Sequence, residues 1–177
     1  MKISVFIATS LDGFIARENG DVDWLSGPQT DINGEDFGFQ DFMDSVDTIV
    51  MGRNTFEFVM ASGEWFYGSK NFIVLTSREL QIPEKYPPTI EKFNGTPQEL
   101  VEYISTKGAK HIYIDGGKTI QDFLKAGLIQ QITITRIPIL LGKGIALFGP
   151  VLEDTHLKHV ITKTYDNGFV QSRYEVL

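Results

Sequence analysis

A chain of 177 residues has the length of one ordinary domain and can bury a core without metals or disulfides. Its composition, 42% hydrophobic and 22% charged, excludes a disordered tail and a coiled coil, and the absence of cysteine excludes disulfides and thiolate chemistry. The net charge of −7 argues against nucleic-acid binding, and no apolar stretch reaches the roughly 18 residues of a membrane span. We therefore expect one cytoplasmic domain, residues 1–177, with neither nucleic acid nor a membrane as its partner.

The first half of the chain alternates apolar runs with helical patterns. The apolar run Lys2–Thr9 predicts a central buried strand, and a polar loop that contains Trp24 follows it to about Asn33. Apolar residues at spacings of three and four then predict a helix over Glu35–Val46. The other elements predicted in this half are a strand at Thr48–Met51, a helix at Thr55–Ala61, a strand at Asn71–Leu75 and a weak strand at Thr89–Phe93.

The second half begins with a helix and ends in antiparallel strands. Thr96 and Glu99 form a capping box, with proline at the first helical position, which predicts a helix to about Lys107. The other predicted elements are strands at His111–Ile114, Ile132–Ile137, His159–Tyr165 and Phe169–Val176, and a helix at Lys118–Ala126. The last two strands flank Asp166-Asn167-Gly168, a typical hairpin turn. Together these elements predict an α/β fold, with a mixed, mostly parallel sheet, flanking helices and a C-terminal antiparallel hairpin.

Three of the predicted strands end in a small or polar turn. The three turns are Gly52-Arg53-Asn54-Thr55, Thr76-Ser77-Arg78 and Asp115-Gly116-Gly117-Lys118-Thr119. The carboxyl ends of parallel strands share one edge of a sheet, where ligands bind beside helix N-termini. Glycine lets a phosphate approach the backbone N–H groups, because it has no Cβ. Each turn alone is more often an ordinary turn, but three at one edge predict a dinucleotide site.

The second turn indicates which dinucleotide is bound. The hydroxyls of Thr76 and Ser77 and the guanidinium groups of Arg53 and Arg78 suit the 2′-phosphate of an adenosine ribose. An acidic residue at this strand end would favour NAD, and this turn has none. The sequence therefore predicts NADPH rather than NADH. It contains neither a G-x-G-x-x-G nor a G-x-x-x-x-G-K-[ST] motif, which excludes the common Rossmann and P-loop sites.

The order of these motifs resembles a known family. The motifs are Ala8-Thr9, Asp12-Gly13-Phe14-Ile15-Ala16, Trp24, Met51-Gly52-Arg53-Asn54-Thr55, Leu75-Thr76-Ser77-Arg78 and Asp115-Gly116-Gly117, and their order resembles that of the dihydrofolate reductase fold. The second half is similar to the reductase domain of the bifunctional riboflavin-biosynthesis protein. That similarity includes Phe123-Leu124, Ala126-Gly127-Leu128, the run from Ile137 to Gly144, and Phe148. The match covers nearly the whole chain and implies a dihydrofolate reductase-like fold.

The resemblance also implies a role for each matching residue. Ala8 and Thr9 would lie beside the nicotinamide, under a loop that contains Gly13 and Ile15. The residues implied to hold the cofactor's phosphates are Gly52, Arg53, Thr55, Gly116, Gly117, Lys118 and Thr119, and those implied to surround the 2′-phosphate are Thr76, Ser77 and Arg78. Trp24 would lie where the substrate and the nicotinamide meet, although a lone tryptophan is more often a packing residue.

A carboxylate is the expected proton donor. Dihydrofolate reductases carry one early in the helix before the second strand, and the matching position here is Asp36, next to Glu35. A carboxyl group in a half-apolar pocket can hold and help to protonate an N-heterocycle. The alternative is that both acids merely favour the positive end of a helix dipole. The Trp-x-x-Pro-x-Asp pattern of dihydrofolate reductases is absent, which favours a substrate other than folate.

The resulting hypothesis is an NADPH-dependent reductase of a small N-heterocycle, similar to 5-amino-6-(5-phosphoribosylamino)uracil reductase of riboflavin biosynthesis. One alternative is dihydrofolate reductase-type activity on a pterin, and another is a module that binds NADPH without turnover. A third is a retained fold that binds no cofactor. The histidines show no metal-ligand spacing, so we predict no metal site. The C-terminal hairpin offers a sheet edge, and the riboflavin-type group tends to dimerise, so we expect a homodimer.

Overall fold

The secondary structure follows the predicted alternation of strands and helices. The computed structural model describes residues 1–26, 34–151 and 153–177. The strands are β1 (Lys2–Ser10), β2 (Phe14–Ala16), β3 (Thr48–Gly52), β4 (Asn71–Leu75), β5 (Ile90–Phe93), β6 (His111–Asp115), β7 (Gln131–Ile137), β8 (Ile145–Ala146), β9 (Leu157–Thr164) and β10 (Val170–Val176). The α-helices are α1 (Phe39–Ser45), α2 (Arg53–Ser62), α3 (Pro97–Thr106) and α4 (Gly117–Lys125), and a short 3-10 helix covers Asp23–Leu25.

Eight of these strands form one mixed sheet, in the order β5-β4-β3-β6-β1-β7-β10-β9. The ladders from β5 to β7 are all parallel, and β10 pairs antiparallel with both β7 and β9. This arrangement confirms the predicted mostly parallel sheet with its C-terminal hairpin. The hairpin turn is closed by Gly168, whose φ of 83° is left-handed, and by the Asn167 side chain, which accepts the Phe169 N–H.

The helices cover the two faces of the sheet, because successive residues of a strand point to opposite sides. On one face, α3 and α4 bury Leu100 and Phe123 against Ile112 and Ile114 of β6. On the other face, α1 and α2 pack against the alternate strand residues, a cluster that includes Met43, Phe56, Ile49, Phe72 and Tyr113. The sheet is therefore buried on both sides, as parallel sheets generally are.

The neighbouring parallel strands β1 and β6 separate toward their carboxyl ends. The ladder between β1 and β6 contains only the pairs from Lys2↔His111 to Ser4↔Tyr113, whereas β1 stays paired with β7 up to Ser10. The chain leaves β1 toward α1 on one face and leaves β6 toward α4 on the other. Adjacent strands whose connections leave in opposite directions create a crevice that binds ligands in open α/β sheets. We call this opening the β1–β6 crevice.

The structure differs from the prediction in the first loop and at the first helix. The loop predicted from Ser10 to Asn33 contains β2, which pairs antiparallel with β8 in a separate two-stranded ribbon. Its part at 27–33 lies outside the described residues. The helix predicted from Glu35 begins only at Phe39, because Phe37 and Gly38 both have left-handed φ angles, of 57° and 79°.

No helix among the described parts of the chain combines the length and the apolar character that crossing a bilayer requires.

Candidate active site

Two helices begin side by side at the carboxyl edge of the sheet. Gly52 precedes α2 and Gly116 precedes α4, and neither helix start has a side-chain cap. A Cβ on Gly116 would overlap Thr55 Oγ1, and a Cβ on Gly52 would lie 3.0 Å from Thr119 Oγ1. Each glycine thus packs against a threonine of the other helix. Gly116 also has a φ of 89°, which residues other than glycine rarely adopt. We call Gly52, Gly116 and these two helix starts the glycine cradle.

The glycine cradle suits an anion. The first N–H groups of a helix have no partner within the helix, and the aligned peptide dipoles place partial positive charge there. Because β3 and β6 are neighbours, with Met51 paired to Asp115, the two helix starts face the same space. Two anion-binding helix ends can hold a pyrophosphate from two sides. The residues present therefore fit the phosphates of a dinucleotide.

The ribbon of β2 and β8 lies over the start of α4. A Cβ on Gly117 would stand 2.7 Å from Ile15 Cδ1 and 3.4 Å from Ile145 Cγ2, so the isoleucine side chains of the ribbon pack closely on this glycine. Gly13 has a φ of 86°, and its carbonyl accepts the Leu147 N–H at 3.0 Å. The structure thus brings the predicted loop residues Gly13 and Ile15 to the glycine cradle.

The Asp12 carboxylate fixes this ribbon in place. It accepts the Ser10 hydroxyl at 2.6 Å, the Leu141 N–H at 3.2 Å and the Gly142 N–H at 2.8 Å. The hydrogen bond from Ser10 has the largest effect on the pKa of Asp12, and together with the bonds from Gly142 and Leu141 it lowers that pKa and favours the ionised carboxylate. Asp12 therefore holds the loop after β1 against the loop before β8. From the sequence, Asp12 was recognisable only as part of a motif, because its partners Leu141 and Gly142 lie about 130 residues further along the chain.

The loop after β4 is joined to the start of α2 through Arg53. The Arg53 guanidinium donates to Glu57 Oε1 at 2.6 Å and to the Glu79 carbonyl at 2.8 Å. Thr76 Oγ1 accepts the Arg78 N–H at 3.1 Å, which shapes the turn. The side chain of Arg78 is exposed and makes no hydrogen bond or ion pair with a described residue. Arg78 is therefore available to bind an anion, whereas Arg53 is already engaged in hydrogen bonds with Glu57 and Glu79.

The remaining residues predicted to bind phosphate differ in their exposure and in the contacts that they already make. Lys118 is exposed and pairs with Asp122 one turn along α4, so its charge is partly satisfied within the helix. Ser77 is exposed beside Arg78, and Thr119 is buried against Gly52. The predicted cofactor residues from the ends of β3 and β6 are thus brought together around the glycine cradle.

Asp115 lies between the glycine cradle and the α1–α2 face of the sheet. Its Oδ1 accepts the Gly116 N–H at 2.8 Å. Burial raises the pKa of Asp115, although the bonds from Gly116 and from the Tyr113 hydroxyl act in the opposite direction. This contact shapes the Gly116-Gly117 turn. Burial raises the pKa of Tyr113, and the negative charge of the neighbouring Asp115 carboxylate raises it further.

Trp24 is buried on the face of the sheet that α1 covers. It is 7% exposed and belongs to a cluster with Ile137 and Phe169, against which Ala8 and Phe37 pack. Its indole Nε1 is buried and has no hydrogen-bond partner among the described residues. A buried unpaired donor costs free energy unless a ligand or a water accepts from it. Ala8 faces this cluster, and its neighbour Thr9 points to the opposite face of β1.

Asp36 caps the first helix. Its two carboxylate oxygens accept the Gly38 and Gln40 N–H groups, both at 2.8 Å, and the residue is exposed. These bonds, Gln40 first, lower the pKa of Asp36. Glu35 likewise accepts the Phe37 N–H at 2.8 Å. Asp36 therefore binds the N–H of a residue in the first turn of α1, whereas Glu35 binds the loop before it, and a proton-donor role for Asp36 stays a prediction.

Sequence reasoning missed two polar residues below the Trp24 cluster, Thr135 of β7 and Gln171 of β10. Gln171 Nε2 donates to Thr135 Oγ1 and to the Phe37 carbonyl, both at 2.9 Å. A signal was present, since β7 alternates threonine with isoleucine, but the partner strand could not be assigned from that pattern. Among the described residues, no group of three or more histidine or acidic side chains is placed to hold a metal.

The comparisons with known proteins identify the family. The model of the RibD C-terminal domain family matches residues 1–171. The chain belongs to this family. Reductases of the riboflavin pathway belong to this family, which supports an oxidoreductase activity for this RibD-type chain. Its sheet order and crossovers are those of the dihydrofolate reductase-like fold.

Three relatives illustrate the breadth of the RibD-type family. The uncharacterised Bacillus subtilis (strain 168) protein YwjB is 35% identical over 177 residues, covering 98% of this chain and 97% of YwjB. A Shewanella sp. PV-4 protein, provisionally assigned to riboflavin biosynthesis, has 38% identity and a TM-score of 0.91, with coverage of 100% and 99%. A longer Thermotoga maritima deaminase/5-amino-6-(5-phosphoribosylamino)uracil reductase has 18% identity and a TM-score of 0.73, with coverage of 99% of this chain and 56% of that protein.

Proposed function

We propose that this RibD-type chain is an NADPH-dependent reductase of a small N-heterocyclic substrate, similar to 5-amino-6-(5-phosphoribosylamino)uracil. The observation that carries the proposal is the glycine cradle, in which Gly52 and Gly116 bring two uncapped helix starts together. Membership of a reductase family supports the reaction type. NADPH supplies the hydride when it is bound, and the protein supplies binding, orientation and exclusion of water.

The proposal assigns each group of residues a part in holding the cofactor. The residues proposed for the phosphates are Gly52, Arg53, Thr55, Gly116, Gly117, Lys118 and Thr119; for the 2′-phosphate, Thr76, Ser77 and Arg78; and for the nicotinamide, Ala8, Thr9, Gly13 and Ile15. The ribbon of β2 and β8 would exclude water from the crevice. The substrate ring would lie beside Trp24, whose buried N–H has no acceptor in the part of the chain that the structure describes.

Nucleotide titration by calorimetry tests the cofactor. We expect NADPH to bind more tightly than NADH, and Arg78→Ala to weaken NADPH binding by about tenfold while leaving NADH binding nearly unchanged. The physical reason is that Arg78 is exposed and unpaired, so its charge is free for the 2′-phosphate. Arg173→Ala is the matched control, because Arg173 is an exposed arginine on β10, six strands from β5 and five from β4 along the sheet order. If neither nucleotide binds, the three strand ends are ordinary turns and the proposal fails.

Turnover separates an enzyme from a binding module. We expect steady NADPH oxidation with 5-amino-6-(5-phosphoribosylamino)uracil and slower oxidation with dihydrofolate. Faster oxidation with dihydrofolate would instead identify a pterin reductase. NADPH binding without oxidation of any pyrimidine or pterin would identify a module that binds the cofactor only.

We also propose that the protein works in the cytoplasm as a homodimer. The support for the dimer is the outermost strand of the sheet, β9, in which all eight residues are exposed.

A further inference from the structure

Four Asn-Gly pairs occur in the sequence, and each is chemically suited to spontaneous deamidation. They are Asn19-Gly20, Asn33-Gly34, Asn94-Gly95 and Asn167-Gly168. In this reaction the backbone nitrogen of the glycine attacks the side-chain amide carbon of the asparagine, and glycine permits the attack because it has no Cβ. Hydrogen bonds that hold either reacting group slow the reaction in a folded protein. Asn33 lies outside the described residues, so three pairs can be compared.

The Asn167-Gly168 pair is held in the hairpin turn between β9 and β10. The Gly168 N–H donates to the Tyr165 carbonyl at 2.9 Å, so the attacking nitrogen is engaged. Asn167 Oδ1 accepts the Phe169 N–H at 3.1 Å, and Asn167 Nδ2 is buried. A side-chain oxygen that binds the backbone two residues further on forms an Asx turn, which stabilises the local conformation. Both reacting groups of this pair are therefore restrained.

The Asn19-Gly20 pair is restrained in a similar way. The Gly20 N–H donates to the Arg17 carbonyl at 2.9 Å. The Asn19 side chain accepts the Asp21 N–H at 3.1 Å and donates to the Asp21 carboxylate at 2.6 Å. The turn therefore occupies the attacking nitrogen and both polar atoms of the amide under attack.

The Asn94-Gly95 pair has none of these restraints. Both residues are exposed, and they lie between the end of β5 and the start of α3. Within the described parts of the chain, no group forms a hydrogen bond with the Asn94 side chain or with the Gly95 N–H. The hydrogen bonds of the capping box begin one residue later, because they join Thr96 to Glu99. Of the three pairs compared, this one alone leaves both reacting groups free and open to water.

Asn94 lies beside the turn proposed for the 2′-phosphate. The strands β4 and β5 are parallel neighbours in which Leu75 pairs with Phe93, and the Thr76 N–H donates to the Phe93 carbonyl at 2.9 Å. Thr76 and Asn94 each follow one member of that pair, so they begin adjacent turns at the same edge of the sheet. A charge acquired at Asn94 therefore arises next to the turn that carries Arg78.

We propose that Asn94 is a deamidation site and that the reaction converts a neutral strand end into an acidic one. The Gly95 nitrogen bonds to Asn94 Cγ, the bond from Cγ to Nδ2 breaks, and ammonia leaves with the proton of the Gly95 N–H. Water then opens the resulting five-membered succinimide at either carbonyl carbon, which yields aspartate or isoaspartate. One amide and one water become one carboxylate and one ammonium ion, and nothing is oxidised or reduced.

The new carboxylate acts on nucleotide binding rather than on folding. It lies two residues before Thr96, the N-cap of α3, where the helix dipole favours negative charge. It repels a 2′-phosphate at the neighbouring strand end, whereas NADH has no such phosphate. Deamidation therefore weakens NADPH binding and reduces the preference for NADPH over NADH. This effect on the nucleotide rests on the proposed function, but the deamidation itself does not.

Mass spectrometry of the incubated protein tests the reaction. The folded protein is held at mildly alkaline pH and digested with trypsin, which releases residues 93–107 and 164–173 as separate peptides. We expect deamidation in 93–107 to be at least about fivefold faster than in 164–173, because hydrogen bonds restrain only the Asn167 pair. In guanidinium chloride, which unfolds both sites, the two rates should become similar. Equal rates in the folded protein, or a faster reaction in 164–173, would overturn the proposal.

Two substitutions test the effect of the charge on the nucleotide. Asn94→Asp introduces the product directly, and we expect it to weaken NADPH binding by about fivefold while NADH binding stays nearly unchanged. Asn94→Gln is the matched control, because its longer side chain cannot form the five-membered ring. After incubation this variant should keep the NADPH affinity that it had before, whereas the unsubstituted protein should lose affinity as its deamidated fraction grows. An equal loss in both proteins would contradict the proposed effect.

These results are distinguishable from those that test the cofactor. Deamidation is measured without nucleotide, so it can succeed even where neither NADPH nor NADH binds. If NADPH binds to Asn94→Asp as tightly as to the unsubstituted protein, the proposed cofactor stands and the effect of the new charge is overturned.

Discussion

At the scale of single residues, Gly116 carries the strongest structural requirement in the site. Its φ of 89° disfavours any side chain, and a Cβ would overlap Thr55 Oγ1. We expect Gly116→Ala to lower the free energy of unfolding by about 2–4 kcal/mol, because strained backbone and overpacking add, and to abolish NADPH binding. Chemical denaturation and calorimetry measure the two effects.

Gly127→Ala is the control for backbone strain alone. Gly127 also has a left-handed φ, of 67°, but nothing lies within 4 Å of its missing Cβ. We expect a loss of about 1 kcal/mol there, with NADPH binding unchanged. Equal destabilisation by the two substitutions would show that Thr55 yields freely and that the two helix starts are not tightly packed.

His111 makes stability depend on pH. Its Nδ1 lies 3.0 Å from the Ser45 carbonyl, which can only accept, so Nδ1 carries a proton, and its Nε2 lies 2.9 Å from Ser4 Oγ. Burial lowers the pKa of His111, with Lys2 adding to the effect and Asp47 opposing it. Below about pH 6.5 the unfolded chain therefore takes up a proton that the folded protein resists. Stability is complete above that pH and declines as the pH falls, by at most about 1.4 kcal/mol per pH unit.

Thermal melts of the protein and of His111→Gln between pH 5 and 8 check this. We expect the substitution to reduce the pH dependence in the acidic half of the range. His156→Gln, at an exposed histidine, should leave the profile as it is. A profile that His111→Gln does not alter would mean that other groups cause the acid lability.

At the scale of secondary-structure elements, the ribbon of β2 and β8 depends on Asp12. We expect Asp12→Ala to increase hydrogen exchange in β2 and β8 and to weaken NADPH binding by about tenfold, because three hydrogen bonds to the carboxylate are lost. Asp23→Ala is the control, since it removes an exposed ion pair with Arg17 in the same part of the chain. Faster exchange without any change in NADPH binding would show that the ribbon does not cover the cofactor.

Elements with strong local signals were predictable from the sequence, and the others depend on distant partners. The strand Asn71–Leu75 and the capping box of α3 are as predicted, because apolar patterning and capping are local. The β2–β8 ribbon was missed, since strands of three and two residues are too short to show a period. The first helix was predicted four residues too early, because the pattern does not reveal the left-handed turn at Phe37.

The residues of the candidate site also differ in whether the local sequence could reveal their role. Glycines at strand ends are recognisable in sequence, because only a few backbone conformations need them. The pairing of Thr135 with Gln171 follows from a strand register that joins residues 36 positions apart, and no local pattern contains it. Asp36 was open to two interpretations, because an acid at a helix start and an acid in a pocket look alike until its hydrogen bonds are known.

At the scale of the whole molecule, the exposed edge of β9 determines the expected assembly. No strand among the described residues pairs with its outer edge, and Val160 and Ile161 are 39% and 42% exposed. Open edges of this kind pair readily with another chain. We expect sedimentation to show a dimer and Ile161→Lys to shift it toward monomer. Phe66→Lys is the control, because it removes an even more exposed apolar side chain elsewhere. A protein that is monomeric at all concentrations would remove the dimer and leave the cofactor proposal intact.

The glycine cradle also has a consequence for cooperativity. It is built from α2, which packs on one face of the sheet, and α4, which packs on the other. A ligand held there contacts both layers at once, so occupancy couples their unfolding, and saturation at a hundred times Kd adds about 2.7 kcal/mol to stability. The affinity for the cofactor therefore depends on the packing of a hydrophobic layer that does not contact the substrate. Phe123 of α4 belongs to that layer, since it is fully buried on the face of the sheet opposite Trp24. Truncating its side chain would weaken nucleotide binding.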